Sequence, residues 1–508
     1  MKANKSWFKL KRYPHIGLPI SPNQRNDIEK FIHNKIKISH YAFLPLIRRE
    51  HRTFKYKLCP DGKFRKKTKI RHISYASHFD SLIYSYYAQQ LSKKYEIFLK
   101  NNNLGNNVIA YRSVPKEPKG SKCNIDFAKE AFNFIKEQSV HTSLSVIVTD
   151  INSFFDNINH TLLKRAWKFI CGEMSLGIDE YNIFKHVTRF SYINNQELFE
   201  LFKDKMICSK PQSNKYIERK VKNMKYFRNK NVIAFCNKDK ISFIRSKGLI
   251  RLNQPNVGIP QGLPISAILA NIYMYRFDWQ LSKYVESLGG FYRRYSDDIM
   301  IVCPSCNTHG CINKLNTEIK NVKLTISEDK TKIYQVYKNC KLETCVRNQE
   351  KYSSIEYLGF AFDGKSIRIK NKGINHYYLK MRKSIDRKKK YAIYKKDNTL
   401  GHLFVNQILK KYTPIGSKCH KIRKRDKKTK KFFYTGKRSY GNYWSYIIKS
   451  AAICESKEIL HQLKRNKPIL KALILKAKQD INSSISKRQW FEYYNYGGRI
   501  FTSIQNRK

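Results

Sequence analysis

The stretch that decides the fold is FYRRYSDDIMIV, Phe291 to Val302. Two adjacent carboxylates, Asp297 and Asp298, stand between a basic, aromatic approach and the apolar run Ile299, Met300, Ile301 and Val302. The pattern predicts a tight turn feeding a buried strand, where negative charge needs a positive partner close by. An Asp-Asp pair in a turn is by itself ordinary turn chemistry, so a catalytic reading requires a second acidic position. LSVIVTDINSFFDNINH supplies one: Val146, Ile147 and Val148 form an apolar β-branched run, and Asp150 stands at its end. Two-metal phosphoryl transfer takes carboxylates from separate strands, so that two ions about 3.5–4 Å apart can activate a 3′-hydroxyl and stabilise the leaving pyrophosphate. On this reading Asp150 and Asp297 bridge two Mg2+ ions, Asp298 is an auxiliary ligand, and Mn2+ is the substitute metal.

Composition narrows the partner. With 101 Lys plus Arg against 38 Asp plus Glu, the formal charge is +63, the balance of a chain that meets a polyanion. A membrane surface also attracts basic chains, but it calls for an amphipathic anchor or a span. The longest uncharged run, Leu252 to Tyr275, is broken by Pro255, Pro260 and Pro264 and by amides. The first residues carry charges where a signal peptide places its apolar core, so the expected location is cytoplasmic, with reduced thiols and no membrane partner. At 508 residues and 41% hydrophobic, the chain has the apolar content for two or three cores. Cys303, Cys306, His309 and Cys311, in VCPSCNTHGC, leave a zinc knot open against ordinary buried and loop cysteines.

Between the two acidic positions lies VGIPQGLPISAILANIYMYRFD, Val257 to Asp278. Gly258, Pro260, Gly262 and Pro264 make a rigid loop that lets backbone approach a ligand, and a helix is expected from Ser266. In order, DINSFFDNINH, PQGLPIS with LANIY, YSDD, LTISEDKTKI and YLGF resemble motifs A to E of reverse transcriptases. Upstream, KIRHISYASHFDSLIYSYYAQQL and VIAYRS are similar to finger motifs of the bacterial members. The resemblance covers about residues 65 to 370. It implies an α+β right-hand polymerase: an N-terminal extension and fingers over 1–145, a palm over 146–370 with a basic insertion near 191–252, and a basic helical thumb with a C-terminal extension over 371–508.

Carried over by motif, the resemblance makes Asp150, Asp297 and Asp298 the metal-binding aspartates and Phe155 the bulky gate against a ribose 2′-hydroxyl. Gln261 and Gly262 then lie against the incoming nucleotide, and Lys330 is the proton donor at the leaving pyrophosphate. Arg71, with Lys69, is the finger grip on the triphosphate. Tyr357, Leu358 and Gly359 correspond to the primer grip, or equally to a core strand, while Asp156 and His160 support structure. The loop, the wide spacing before it and the helical C-terminus look most like the defence-associated and abortive-infection enzymes. That implies dNTP substrates, a DNA product, a structured noncoding RNA as template, antiphage defence and a homo-oligomer.

The insertion contains VIAFCNKDKISFIRSKGLIRL, read as a hairpin turning at Lys238 to Lys240, and KIRKRDKKTKKFF, Lys421 to Phe433, reads as a loop or hairpin lying on phosphate. Near the C-terminus, Tyr493, Tyr494 and Tyr496 could stack on bases, pack in an interface or present a hydroxyl as a protein primer. A template-independent polymerase would share every catalytic residue. A noncatalytic RNA-binding scaffold or intron maturase would keep the fold and the charge without needing the acids.

Overall fold

The computed structural model describes residues 7–59, 61–117, 120–210, 215–338, 341–344, 354–394, 400–425, 429, 432–439 and 441–505, the side chains of 55, 57, 58, 341–344, 424, 425, 437 and 487–505 excepted. Its contacts divide into two compact units, Met1–Val114 with Ile147–Lys332, and Pro115–Val146 with Ile333–Lys508.

In the first unit the helix His78–Asn101 forms as the periodicity predicts. Ser77 caps it by accepting the Asp80 amide at 3.2 Å, and Leu82, Ile83, Tyr87, Leu91, Tyr95 and Leu99 are buried along one side. Asp80 is itself fully buried, taking the Tyr41 hydroxyl at 2.8 Å and the Leu44 amide at 3.1 Å. Burial pushes its carboxyl up to about 6. A long hairpin, Leu46–Leu58 with Phe64–Tyr75, runs in the register His51 opposite Arg71. Its base is extended into a four-stranded sheet by Ser191–Asn194 and Arg251–Leu252.

The insertion has a core of its own, in which Phe235, Met206, Cys208 and Ile244 are buried. Its sheet runs in the order His15–Ile16, Val232–Cys236, Met206–Ser209, Tyr216–Arg219. The expected hairpin turning at Lys238 to Lys240 is not what forms. Those three residues make a single 3-10 turn that leads into the helix Ile241–Ser246, because Ile244 is drawn into the core. The Val232–Cys236 strand pairs instead with Met206–Ser209 and, in parallel, with His15–Ile16, more than two hundred residues away in sequence. A pairing so distant leaves no local turn signal.

A five-stranded sheet carries the strands that the two acidic motifs predict, in the order Phe291–Tyr295, Asp298–Pro304, Leu144–Asp150, Lys332–Tyr337, Lys341–Thr344. Ile299 to Cys303 are completely buried, which suits an apolar run covered on both faces. The helix expected from Ser266 spans Ser266–Tyr273.

The second unit packs the helix Asn124–Gln138, a small sheet of Ile355–Tyr357, Phe360–Phe362 and Ile367–Ile369, and the helices Asn371–Tyr394, Val405–Tyr412, Tyr443–Cys454 and Asn466–Gln505. Phe132 stacks on Phe362 at 5.2 Å, and the Tyr377 hydroxyl donates to the Tyr412 carbonyl at 2.8 Å. The basic run after Lys418 folds as an antiparallel hairpin, His420–Arg425 with Phe432–Ser439. No helix among the described residues is long and apolar enough to cross a membrane.

Phe235 is fully buried at the centre of the insertion. Phe235→Ala is expected to cost about 3–5 kcal/mol. Limited proteolysis checks it: new cleavage within 191–252 is expected, and an unchanged digestion pattern contradicts an insertion held by this core.

Candidate active site

The YSDD segment is a two-residue hairpin turn. Tyr295 and Asp298 are the last paired residues, with Ser296 and Asp297 between them. Ser296 has φ 61°, the left-handed value usually left to glycine at the first position of such a turn. Several contacts hold it there. The Arg294 guanidinium donates to the Ser296 carbonyl at 3.0 Å, and the Tyr111 and Ser296 hydroxyls lie 3.1 Å apart.

Arg294 is completely buried and paired with Asp278 of the helix Tyr275–Ser287. The pair is bidentate: Nε donates to Oδ1 at 2.7 Å and Nη2 to Oδ2 at 2.6 Å, with the Tyr292 hydroxyl adding a third bond to Oδ1 at 2.6 Å. Burial opposes the guanidinium charge, but the Asp278 carboxylate outweighs it and holds Arg294 above its ordinary value. The Arg294 backbone is also tied down, donating to the Asn107 carbonyl at 2.8 Å and accepting the Ile109 amide at 3.0 Å. Sequence reasoning asked for a positive group near the two acids but did not single out Arg294 or Asp278. The arginine touches the turn's backbone, and its charge is spent on Asp278.

Asp150 meets this turn. The Ile151 amide donates to the Asp297 carbonyl at 2.9 Å, so the end of the Leu144–Asp150 strand lies beside the carboxylate turn. On the other side, Ser327 donates its amide to the Asp150 carbonyl at 2.8 Å, and the Thr149 and Thr331 hydroxyls lie 2.7 Å apart. These bonds bring in the turn Glu328–Lys330, and the Lys330 ammonium contacts Asp150 Oδ2 directly. The positive group near the acids is therefore Lys330. The strand ends that carry Asp150 and the Asp297–Asp298 turn are thus neighbours, and carboxylates are the hard-oxygen donors that Mg2+ or Mn2+ takes, but among the described residues these three are not grouped at metal-ligand spacing.

The two loops between these motifs are laced together. Ile259 donates to the Phe155 carbonyl at 2.9 Å and Gly258 to the Ile158 carbonyl at 2.8 Å, while His160 Nε2 lies 2.8 Å from the Gly258 carbonyl. Gly258, at φ 86°, approaches so closely that a Cβ would meet the Asp156 carbonyl oxygen at 3.0 Å. Gly262 is tighter still: at φ 118°, its Cβ would fall 2.5 Å from the Ser74 carbonyl oxygen. Ser74 in turn donates its amide to the Gln261 carbonyl at 2.8 Å. The loop is thereby fixed to the strand that carries Lys69 and Arg71, both exposed and two residues apart on one face.

Other sequence-derived positions belong to other elements of the chain. Leu358 and Gly359, at φ 45° and 90°, form the two-residue turn between Tyr357 and Phe360 in the second unit. Tyr493, Tyr494 and Tyr496 fall on the helix Asn466–Gln505, but their side chains lie outside the described residues. Cys303 and Cys311 are buried neighbours, and the Cys311 thiol raises the pKa of Cys303. Cys306 is exposed and donates to Asn307 Oδ1 at 3.2 Å. Among the described residues the grouping with metal-ligand spacing is Cys171, Glu173 and Glu180, so of the two readings left open for Cys303, Cys306, His309 and Cys311 the structure gives ordinary buried and loop residues.

Arg294→Met would leave Asp278 buried without its counter-charge, for which about 3–5 kcal/mol of destabilisation is expected. Pairing it with Asp278→Leu should recover much of that loss. Chemical denaturation of both variants checks this, and a single variant as stable as the parent contradicts the role given to the pair.

Residues 210–362 match the family model described as reverse transcriptase (RNA-dependent DNA polymerase). The match includes the Gln261–Gly262 loop, the Asp297–Asp298 turn, Lys330 and Tyr357, and leaves Asp150, Phe155 and Arg71 outside it. None of the curated proteins matches the chain. Among solved structures, telomerase from Candida albicans in complex with a TWJ fragment of telomeric RNA is 12% identical, covering 95% of this chain and 73% of that one, with a TM-score of 0.35. Apo telomerase from Candida tropicalis is 12% identical over 79% of this chain and 64% of its own length, with a TM-score of 0.33. A form of it truncated from the C-terminal domain is 13% identical over 62% of this chain and 55% of its own, with a TM-score of 0.30. The chain thus spans less than two thirds of the two C. tropicalis structures. Residues 210–362 are thus similar to a reverse transcriptase domain, within a mixed helix and sheet architecture consistent with a right-hand polymerase.

Proposed function

We propose that this chain is an RNA-directed DNA polymerase whose reacting centre is Asp150, Asp297 and Asp298. The observation that supports the reading is the 2.9 Å bond from the Ile151 amide to the Asp297 carbonyl, which joins the end of the strand that carries Asp150 to the turn that carries Asp297 and Asp298. When two divalent ions are bound there, they activate the attacking 3′-hydroxyl and stabilise the departing pyrophosphate. Asp150 and Asp297 would hold both ions, with Asp298 as the auxiliary ligand.

In the transfer, the 3′-hydroxyl gives up its proton to solvent as its oxygen forms a bond to the α-phosphorus of a dNTP, and the bond from that phosphorus to the pyrophosphate oxygen breaks. Lys330 leaves Asp150 as the site loads and delivers its proton to the pyrophosphate. Phe155 crowds the ribose 2′ position, and the Gln261–Gly262 loop, held on Ser74, lies under the incoming nucleotide. Arg71 with Lys69 draws the triphosphate. Residues 1–145 then serve as extension and fingers, 146–370 as palm and 371–508 as thumb and extension, with Tyr357 to Gly359 as the primer grip. The net charge of +63 supports a long phosphate-bearing partner. The likeness of the Gln261 loop and the helical C-terminus to defence-associated enzymes supports a structured noncoding RNA as template, a cytoplasmic antiphage role and assembly as a homo-oligomer.

Primer extension on an RNA template with dNTPs tests the proposal. Asp297→Ala with Asp298→Ala is expected to reduce incorporation to background with an unchanged circular dichroism spectrum, and a folded, active double variant overturns it. Lys330→Ala should slow incorporation by about 10²–10⁴-fold, and Phe155→Ala should admit ribonucleotides. Sequencing the product decides the template question, since DNA without a complement in the supplied RNA contradicts RNA direction. Phage plating on cells carrying the double variant tests the defence role, where protection equal to the parent contradicts it.

A further inference from the structure

The hairpin Leu46–Leu58 with Phe64–Tyr75 reaches well beyond the sheet that holds its base. Only Leu46 to Arg48 pair with a third strand among the described residues, and from Arg49 to the tip the ribbon is two strands wide. Such a ribbon is at best marginally stable in water unless something covers one of its faces.

The register sorts its side chains. Residues directly opposite one another share a face, and successive residues alternate between faces. Lys69 and Arg71, the candidate triphosphate grip, stand opposite Thr53 and His51 on one face. Phe54, Tyr56 and Phe64 stand on the other, with Lys66, which lies opposite Tyr56 and sets its ammonium 4.2 Å from the centre of the Phe54 ring. The three aromatic residues are 55, 69 and 71% exposed. A single apolar residue at a surface is ordinary, but three rings grouped near the end of a thin ribbon make a patch that calls for a partner.

Spacing and charge point to one kind of partner. Alternate residues of a strand lie about 7 Å apart, and Phe64 is diagonal to Tyr56 across the pair, at about 7–8 Å. Bases in a stack repeat every 3.4 Å or so, about half that distance, so one base fits between neighbouring rings. From Leu46 to Tyr75 the hairpin carries eleven Lys and Arg against Glu50 and Asp61. That balance opposes packing on a second copy of the same hairpin and favours a polyanion. A duplex keeps its base faces stacked inside, whereas an unpaired strand offers them to aromatic side chains.

We infer that this aromatic face is a platform for an unpaired polynucleotide strand, whose bases stack on Phe54, Tyr56 and Phe64 with Lys66 beside its backbone. The face is opposite the one that bears Lys69 and Arg71, so the strand it holds is separate from the nucleotide being added. The strand is either the RNA that is copied or the DNA that is made, because stacking is indifferent to the sugar. The inference rests on a nucleic acid as partner and not on the metal centre proposed above.

Photocrosslinking on the nuclease-treated full chain, without metal or dNTP, tests it. Short strands of RNA and of DNA carrying 5-iodouracil, which joins to an aromatic ring stacked on it, are irradiated beside a duplex of the same length, and mass spectrometry maps the joined residues. Crosslinks to Phe54, Tyr56 or Phe64 from a single strand and not from the duplex are expected, and the strand that gives them identifies the source. Phe54→Ala combined with Tyr56→Ala and Phe64→Ala should weaken single-strand binding at least tenfold, with the salt dependence unchanged because the phosphate contacts remain. The rings are exposed, so thermal unfolding of this variant should match the parent, and the crosslinks on the parent chain stand whatever the variant does. No crosslink within 46–75, equal crosslinking by the duplex, parental affinity in the folded triple variant, or a loss accompanied by a flattened salt dependence overturns the inference. Failure here leaves the polymerase reading untouched, and failure of primer extension leaves this one standing.

Discussion

Everything at the candidate active site rests on the buried pair of Arg294 and Asp278. A guanidinium and a carboxylate, both fully removed from solvent, are costly to desolvate, and they persist because three short bonds converge on Asp278. What the pair gives in return is position. Arg294 belongs to the strand that enters the carboxylate turn, and its remaining guanidinium nitrogen donates to the Ser296 carbonyl at 3.0 Å. The helix behind the loop, the strand before the turn and the turn itself are thereby one rigid piece. A serine at φ 61° is tolerable in such a frame and would be costly in a free loop.

From that piece the rest follows by backbone contact. The turn's Asp297 carbonyl takes the Ile151 amide, which fixes the end of the Asp150 strand, and the Asp150 carbonyl takes the Ser327 amide, which fixes the turn of Lys330. The two glycines of the intervening loop work the same way in the other direction. Gly258 lies on Asp156 and Gly262 on Ser74, each at a distance that a side chain would not permit. The positions of these loops are thus set by main-chain bonds and close backbone approach.

Much of this was legible in the sequence, and the legible part has a common character. Apolar runs ending in an acid, such as Val146 to Asp150, and a glycine- and proline-marked loop followed by helical spacing, such as Val257 to Tyr273, are local patterns with local causes. The helix from His78 and the helix from Ser266 were readable on the same grounds. What could not be read is what depends on distant partners. The strand Val232–Cys236 takes its neighbour from His15–Ile16, so the basic segment after it, free of a hairpin's demands, turns into a helix. Arg294 stood in plain view beside Arg293, but only the fold shows that it reaches back to Asp278 while Arg293 lies over the Phe291 ring.

The central claim is that Asp150 and the Asp297–Asp298 turn make one metal centre. Replacing Mg2+ with Fe2+ and adding ascorbate and peroxide generates hydroxyl radicals that cut the chain beside the bound metal, and mass spectrometry locates the cuts. The account expects cleavage at both the Asp150 and the Asp297 segments, lost together in Asp150→Asn. Cleavage at one segment alone, or a pattern unchanged by that substitution, would contradict it.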